Sequence, residues 1–343
     1  ELAECEEAIG DPTTGGAYAA VIAGARDPAI LRAARIGEAR ALVGAQRWAD
    51  ALAVAQHDDT MPMRMVRGMA LAQLGRGAEA LGELEPVIAT GDSTYRWMEY
   101  VQAFAAHDGA ATDTLLNRLL ALPNVPDELR SAWIFGAATS AVDADPARAR
   151  AWLRLLATRP TGRSVTSGMF LAGELELREA PSAARLRTVA DSLQAIAAHA
   201  EGYAEGLRLA DLDHAAVRLL ARTEPVRDGA PLGDLVMFGA SEFARDSLGN
   251  PLVSAELLGR LERGWPGSPF VPKALLARAA LEPDSSQVLV ARARAHGDNP
   301  YILTAMGDVA GRIRFVALED SLGAFVRDLW KGGGPATPAS AIR

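Results

Sequence analysis

Along most of this chain apolar residues recur at steps of three and four, the period of a helix with one buried face. From Pro28 to Ala55 the residues Ile30, Leu31, Ala34, Ile36, Ala39, Leu42 and Val43 form one such series. Trp48, Ala51, Leu52 and Ala55 form a second, and only the stretch 44–47 separates them. Two helices joined so briefly must be antiparallel neighbours. A second pair follows over Met63 to Leu74 and Ala78 to Ala89, with Gly75-Arg76-Gly77 as its turn. Trp48 and Gly77 hold equivalent places 29 positions apart.

The helical rhythm continues through Met169 to Arg178, Ser182 to Ala200 and Tyr203 to Ala221, but the repeat loses definition after Pro160. Proline, glycine and charge crowd together from Pro225 to Pro231, which marks a joint between residues 1–226 and 231–330. Beyond it Pro269-Phe270-Val271-Pro272-Lys273-Ala274 aligns with Pro300-Tyr301-Ile302-Leu303-Thr304-Ala305. Phe315 to Trp330 reads as an amphipathic helix with Phe315, Leu318, Leu322, Phe325, Val326 and Leu329 on one face, a cap for the stack. Residues 331–343, with Gly332-Gly333-Gly334 and two prolines, read as a flexible tail.

The spacing of Gly68, Leu71, Gly75, Ala80 and Leu84 resembles the small-and-large pattern of the tetratricopeptide repeat. Trp97, Tyr100, Val101 and Phe104 fall at the spacing of that repeat's first helix, and Phe135, Gly136, Trp152, Leu155 and Pro160 fit a fourth unit. Two positions depart from the pattern: Glu38 stands where an apolar residue is expected, and Asp113 where a small alanine should be. The corner at Pro269 to Ala274 is similar to that of exported bacterial repeat proteins of the outer-membrane assembly lipoprotein type. The resemblance implies an all-α, right-handed superhelical solenoid of helix-turn-helix units, roughly seven to nine pairs. It also implies a curved surface that holds other proteins.

Composition agrees with helices: Ala, Leu and Arg dominate, and aromatic residues make up 6% of the chain. A formal net charge of −8, with arginines interspersed among acids, argues against a nucleic-acid partner. The single cysteine, Cys5, allows no internal disulfide and no thiolate cluster. Apolar stretches such as Ala17 to Ala25 and Trp133 to Val142 are shorter than the roughly 20 residues of a spanning helix. The first residue is Glu1, so a signal peptide, lipid anchor or further domain upstream stays open.

No phosphate loop, serine elbow, zinc-protease helix or paired-cysteine motif is present. Carboxylates adjoin an imidazole at His57-Asp58-Asp59, His107-Asp108 and Asp211-Leu212-Asp213-His214. Neighbours on one helix point apart, so these read as helix-end and capping residues rather than a metal or acid-base site. Asp-Ser-Leu recurs at 191–193, 246–248 and 320–322 without an accompanying histidine, which makes the Asp and Ser solvent-facing and the Leu core. The expectation is a chain with no catalytic residues, no metal and no cofactor.

Met61, Met63, Met65 and Met69 are half of the 8 methionines. The repeat register places Met65 and Met69 on the inner first-helix face, with Met98, Gln102 and Trp133 following in the next two units. Thioethers beside aromatic rings suit an adaptable groove for a peptide or helix. Apolar helix positions are more often the makings of a core, and the sequence favours that reading of these residues; a groove requires Met65, Met69, Met98 and Trp133 to be partly exposed. The sequence thus predicts a non-catalytic scaffold whose partners are other protein subunits. Its expected setting is the membrane-extrinsic, periplasmic side of a membrane-associated assembly such as an envelope, secretion or photosynthetic complex. The alternative is a cytoplasmic regulatory module of a longer regulator or transcriptional activator.

Overall fold

The computed structural model describes residues 14–56, 58–91 and 97–331. Cys5, His57 and the tail from Gly332 on lie outside these residues, and so do the expectations placed on them. The described residues form α-helices and one short 3-10 turn, with no strand among them. The chain divides into two compact units, one ending at Met169 and the other starting at Phe170.

In the first unit the helices are α1 (Thr14–Gly24), α2 (Pro28–Gly44), α3 (Trp48–Ala55), α4 (Met61–Gln73), α5 (Gly77–Ile88), α6 (Trp97–His107), α7 (Gly109–Leu120), α8 (Asp127–Ala141) and α9 (Pro146–Ala157). Each packs on its neighbour in the pairs α2–α3, α4–α5, α6–α7 and α8–α9. The first helices also pack in series, α2 on α4, α4 on α6 and α6 on α8, and α5 packs on α7. This is the consecutive contact pattern of a helical-repeat arrangement.

The repeat is visible atom by atom in its turns. Gln46 and Gly75 both adopt left-handed backbone, at φ 57° and 72°. Each is followed by an arginine at the next helix start whose Nε donates to the acid three residues on, Arg47 to Asp50 at 2.7 Å and Arg76 to Glu79 at 2.7 Å. Ala51 and Ala80 are fully buried, as the register requires. Gly68 lies so close to α5 that an added Cβ would stand 2.5 Å from Leu84 Cδ2. Small residues at these crossings are what allow large ones to fill the grooves alongside.

Helix starts follow one chemical recipe in both units. Asp27-Pro28, Asp145-Pro146, Asn250-Pro251 and Asn299-Pro300 place a side-chain acceptor before a proline that lacks the N–H an opening helix turn would leave unpaired. Asn250 also donates from Nδ2 to the carbonyls of Leu177 and Ala180 at 2.8 and 3.0 Å, so a wholly buried amide ties two helix ends together.

The second unit holds the C-terminal part of α10 (Arg163–Arg178), then α11 (Ala183–Ala197), α12 (Ala204–Thr223), α13 (Gly233–Asp246), α14 (Pro251–Gly264), α15 (Val271–Leu281), α16 (Ser286–Arg294), α17 (Pro300–Ala305) and α18 (Val309–Lys331). One core runs through it, from Phe170 to Leu322. The Pro225–Pro231 stretch, read from sequence as a joint, connects α12 to α13 inside this unit. Side chains tie it down: Arg260 donates to the carbonyls of Thr223 and Val226, and Trp265 Nε1 to that of Ala230 at 2.8 Å.

The helix expected from Phe315 to Trp330 is present as α18, with Leu322 and Leu329 buried. It packs on α17 and also on α13. Trp330 stacks on Phe243 at 4.1 Å between ring centroids, and Arg218 donates to the Trp330 carbonyl at 2.9 Å while lying against both rings. Midway along α18, Glu319 accepts from Lys273 Nζ at 2.6 and 2.8 Å and from the Tyr301 hydroxyl at 2.5 Å.

Candidate functional site

Two adjoining cavities open along the first helices of the first unit. One, of about 420 Å3, is lined by Gln46, Trp48, Met69, Gln73, Glu99 and Gln102 among others. The other, of about 320 Å3, is lined by Arg40, Met65, Met69, Glu99 and Tyr100 among others. They share Val43, Met69 and Glu99, and so form one continuous depression across α2, α4 and α6.

The helical period explains the lining. Met65, Met69 and Gln73 follow one another at four-residue steps on α4, and Glu99, Gln102 and Ala106 at three and four on α6. The Tyr100 hydroxyl donates to the Met65 carbonyl at 2.9 Å, pinning α6 to α4 beneath the depression. Its lining is mixed, with Val43, Met65 and Met69 beside three side-chain amides, one carboxylate and the Arg40 guanidinium. Such a surface offers both donors and acceptors beside polarisable thioethers.

The five residues predicted for the groove fall into two groups. Met65 and Met98 are half-buried and Gln102 is exposed. Met65 and Gln102 line the depression, whereas Met98 lies against Gly136, where an added Cβ would collide with its Sδ. Trp133 and Met69 correct the expectation of partly exposed anchors. Trp133 is 0% exposed and Met69 6%. Trp133 sits on α8, which is packed on α6, α7 and α9 and buries Leu129, Ile134, Ala137, Ala138 and Ala141 as well. A helix so covered has no free inner face at that position, and Trp133 is core. Met69 shows only an edge to the depression.

Sequence reasoning missed Arg40, Gln73, Glu99 and Tyr100. One more helical step beyond Met69 reaches Gln73, and Glu99 lies three residues before Gln102, so the period that found the methionines also reaches these polar neighbours.

The histidine motifs resolve into local structure where they are described. His107 ends α6 and is exposed, and Asp108 caps α7 by accepting from the Ala111 N–H at 3.0 Å. Asp58 accepts from the Thr60 N–H at 2.8 Å, and that bond holds its carboxyl below the usual carboxylate range. On α12 His214 is exposed. Burial pushes the Asp213 carboxyl up against the pull of His214, and Asp191 adds to the rise. No group of three His, Cys, Asp or Glu among the described residues could hold a metal ion. In all three Asp-Ser-Leu triplets the leucine is buried, and the Asp and Ser are exposed.

No protein-family model matches the chain, and comparison with curated proteins and with solved structures finds no match. The repeat description therefore rests on the turns, caps and crossings given above. No helix among the described residues is long and apolar enough to cross a membrane.

Proposed function

We propose that this chain is a non-catalytic scaffold whose first unit holds a segment of another protein in the depression across α2, α4 and α6. The observation that carries this reading is the joined cavity lined by Met65, Met69, Glu99 and Gln102, where thioethers stand beside amide and carboxylate side chains. In this reading the repeats are of the tetratricopeptide type, wound as a right-handed superhelix, and the partner is another subunit of a membrane-associated assembly. The turn chemistry shared by Gln46-Arg47 and Gly75-Arg76 supports the repeat type, and the likeness of the Pro269–Ala274 corner to exported repeat proteins supports an extracytoplasmic setting.

Replacing Met65 by Glu and Gln102 by Arg places two charges in the depression at sites that are half-buried or exposed, so the fold should survive. Co-purification from the native source should then lose the chains that accompany the wild-type protein, while the thermal melt stays close to wild type. Unchanged co-purification would contradict the assignment of this surface.

A further inference from the structure

The polar side chains that line the depression of the first unit are not engaged by the protein itself. Arg40, Gln46, Gln73, Glu99 and Gln102 make no side-chain hydrogen bond or ion pair among the described residues. Elsewhere in the unit such groups are held internally: Arg47, Arg67, Arg76, Arg118 and Arg148 each reach a carboxylate.

The five are sorted by charge along the depression. Its larger part holds the amides of Gln46, Gln73 and Gln102, and its smaller part holds Arg40. Glu99 lines both. Because α2 packs on α4 and α4 on α6, Arg40 and Glu99 stand on the outer helices of this series, and α4 contributes Met65 and Met69. Opposite charges that line one cavity without pairing leave a field across it, positive at α2 and negative at α6. An occupant with one sign of charge gains at one wall and is repelled at the other. An occupant that carries both signs in the matching order gains at both. A carboxamide donates and accepts, so the three glutamines suit the N–H and C=O groups of any main chain and read no sequence.

We propose that the depression selects its partner segment by a pair of opposite charges, an acidic side chain set against Arg40 and a basic one against Glu99, while Gln46, Gln73 and Gln102 bond the adjoining main chain. This rests on the peptide-binding reading of the same depression and adds to it which sequences bind. Segments with two acids, two bases or the pair in reverse order are rejected.

Selection of a random-peptide display library on the full chain tests the assignment. Peptides whose capture is lost with Met65→Glu bind in the depression, and they should carry an acid and a base at a fixed spacing. A synthetic copy of one such peptide should bind Arg40→Glu and Glu99→Lys about tenfold or more weakly than wild type. Both side chains are exposed, so the thermal melts of these variants should match wild type. The same peptide with its two charges exchanged should recover affinity for the double variant Arg40→Glu, Glu99→Lys. Depression-bound peptides that lack the charge pair, that ignore both charge reversals, or that gain nothing from the exchange would overturn this inference and leave the peptide-binding reading standing. A selection in which no captured peptide responds to Met65→Glu would overturn both.

Discussion

Asp113 occupies a place where the repeat pattern calls for a small alanine, and the structure supplies the reason. Its carboxylate accepts from the Trp152 indole N–H at 2.8 Å and from Arg148 at 2.9 Å, so the exception on α7 holds the next hairpin. Asp113→Ala leaves a part-buried indole N–H without an acceptor and should cost about 1 to 2 kcal/mol in denaturant unfolding. Gln46 is the converse case, a side chain in left-handed backbone where its repeat partner is glycine. Gln46→Gly should stabilise by up to about 1 kcal/mol, and a loss of stability would show that the amide makes contacts that matter more than its backbone strain. Trp133 is where the sequence left two readings, groove and core, and its complete burial decides for core. The register fixes which side of α8 a residue lies on but does not count the helices covering that side. Trp133→Ala should therefore destabilise by about 3 to 5 kcal/mol.

At the scale of the element, the turns were the most legible features, because the 44–47 and Gly75-Arg76-Gly77 stretches act within a few residues of themselves. The register of α4 and α6 was legible for the same reason, and it delivered Met65 and Gln102. The return of α18 to α13 was not legible, since Trp330 meets Phe243 and Arg218 across about a hundred residues, and periodicity carries no information about such a distant partner. Burial pushes the Glu319 carboxyl up, but the bonds from Lys273 and Tyr301 outweigh it and hold it below the ordinary value. A carboxylate depressed in this way stabilises the folded state above the ordinary carboxylate range and loses that contribution as pH falls through its folded value. Glu242 runs the other way. Burial raises it against the charges of Lys273 and Arg245, while Asp246 and Glu319 add to the rise, so its ionised form costs stability at neutral pH. Thermal melts should show Glu319→Gln less stable than wild type at neutral pH, with the gap closing on acidification. Glu242→Gln should be more stable at neutral pH, and its gain should likewise vanish in acid. Melts in which neither gap narrows with acid would contradict this description of how α18 is held.

For the molecule as a whole, the helical class could be read from composition and period, and the hairpin order from the short turns. The division after Met169 could not, because no change in composition marks it, whereas the conspicuous Pro225–Pro231 stretch lies inside a unit. The proposed partner surface was half legible: one helical period reaches its methionines and amides, but which of them remain uncovered depends on the packing of α8. The most direct test of the central claim is site-specific photocross-linking in the native source, with a photoreactive side chain at residue 102 in the depression or at residue 76 on an exposed turn. The account predicts that a distinct partner chain is captured from 102 and not from 76. Equal capture from both positions, or capture from 76 alone, would contradict it.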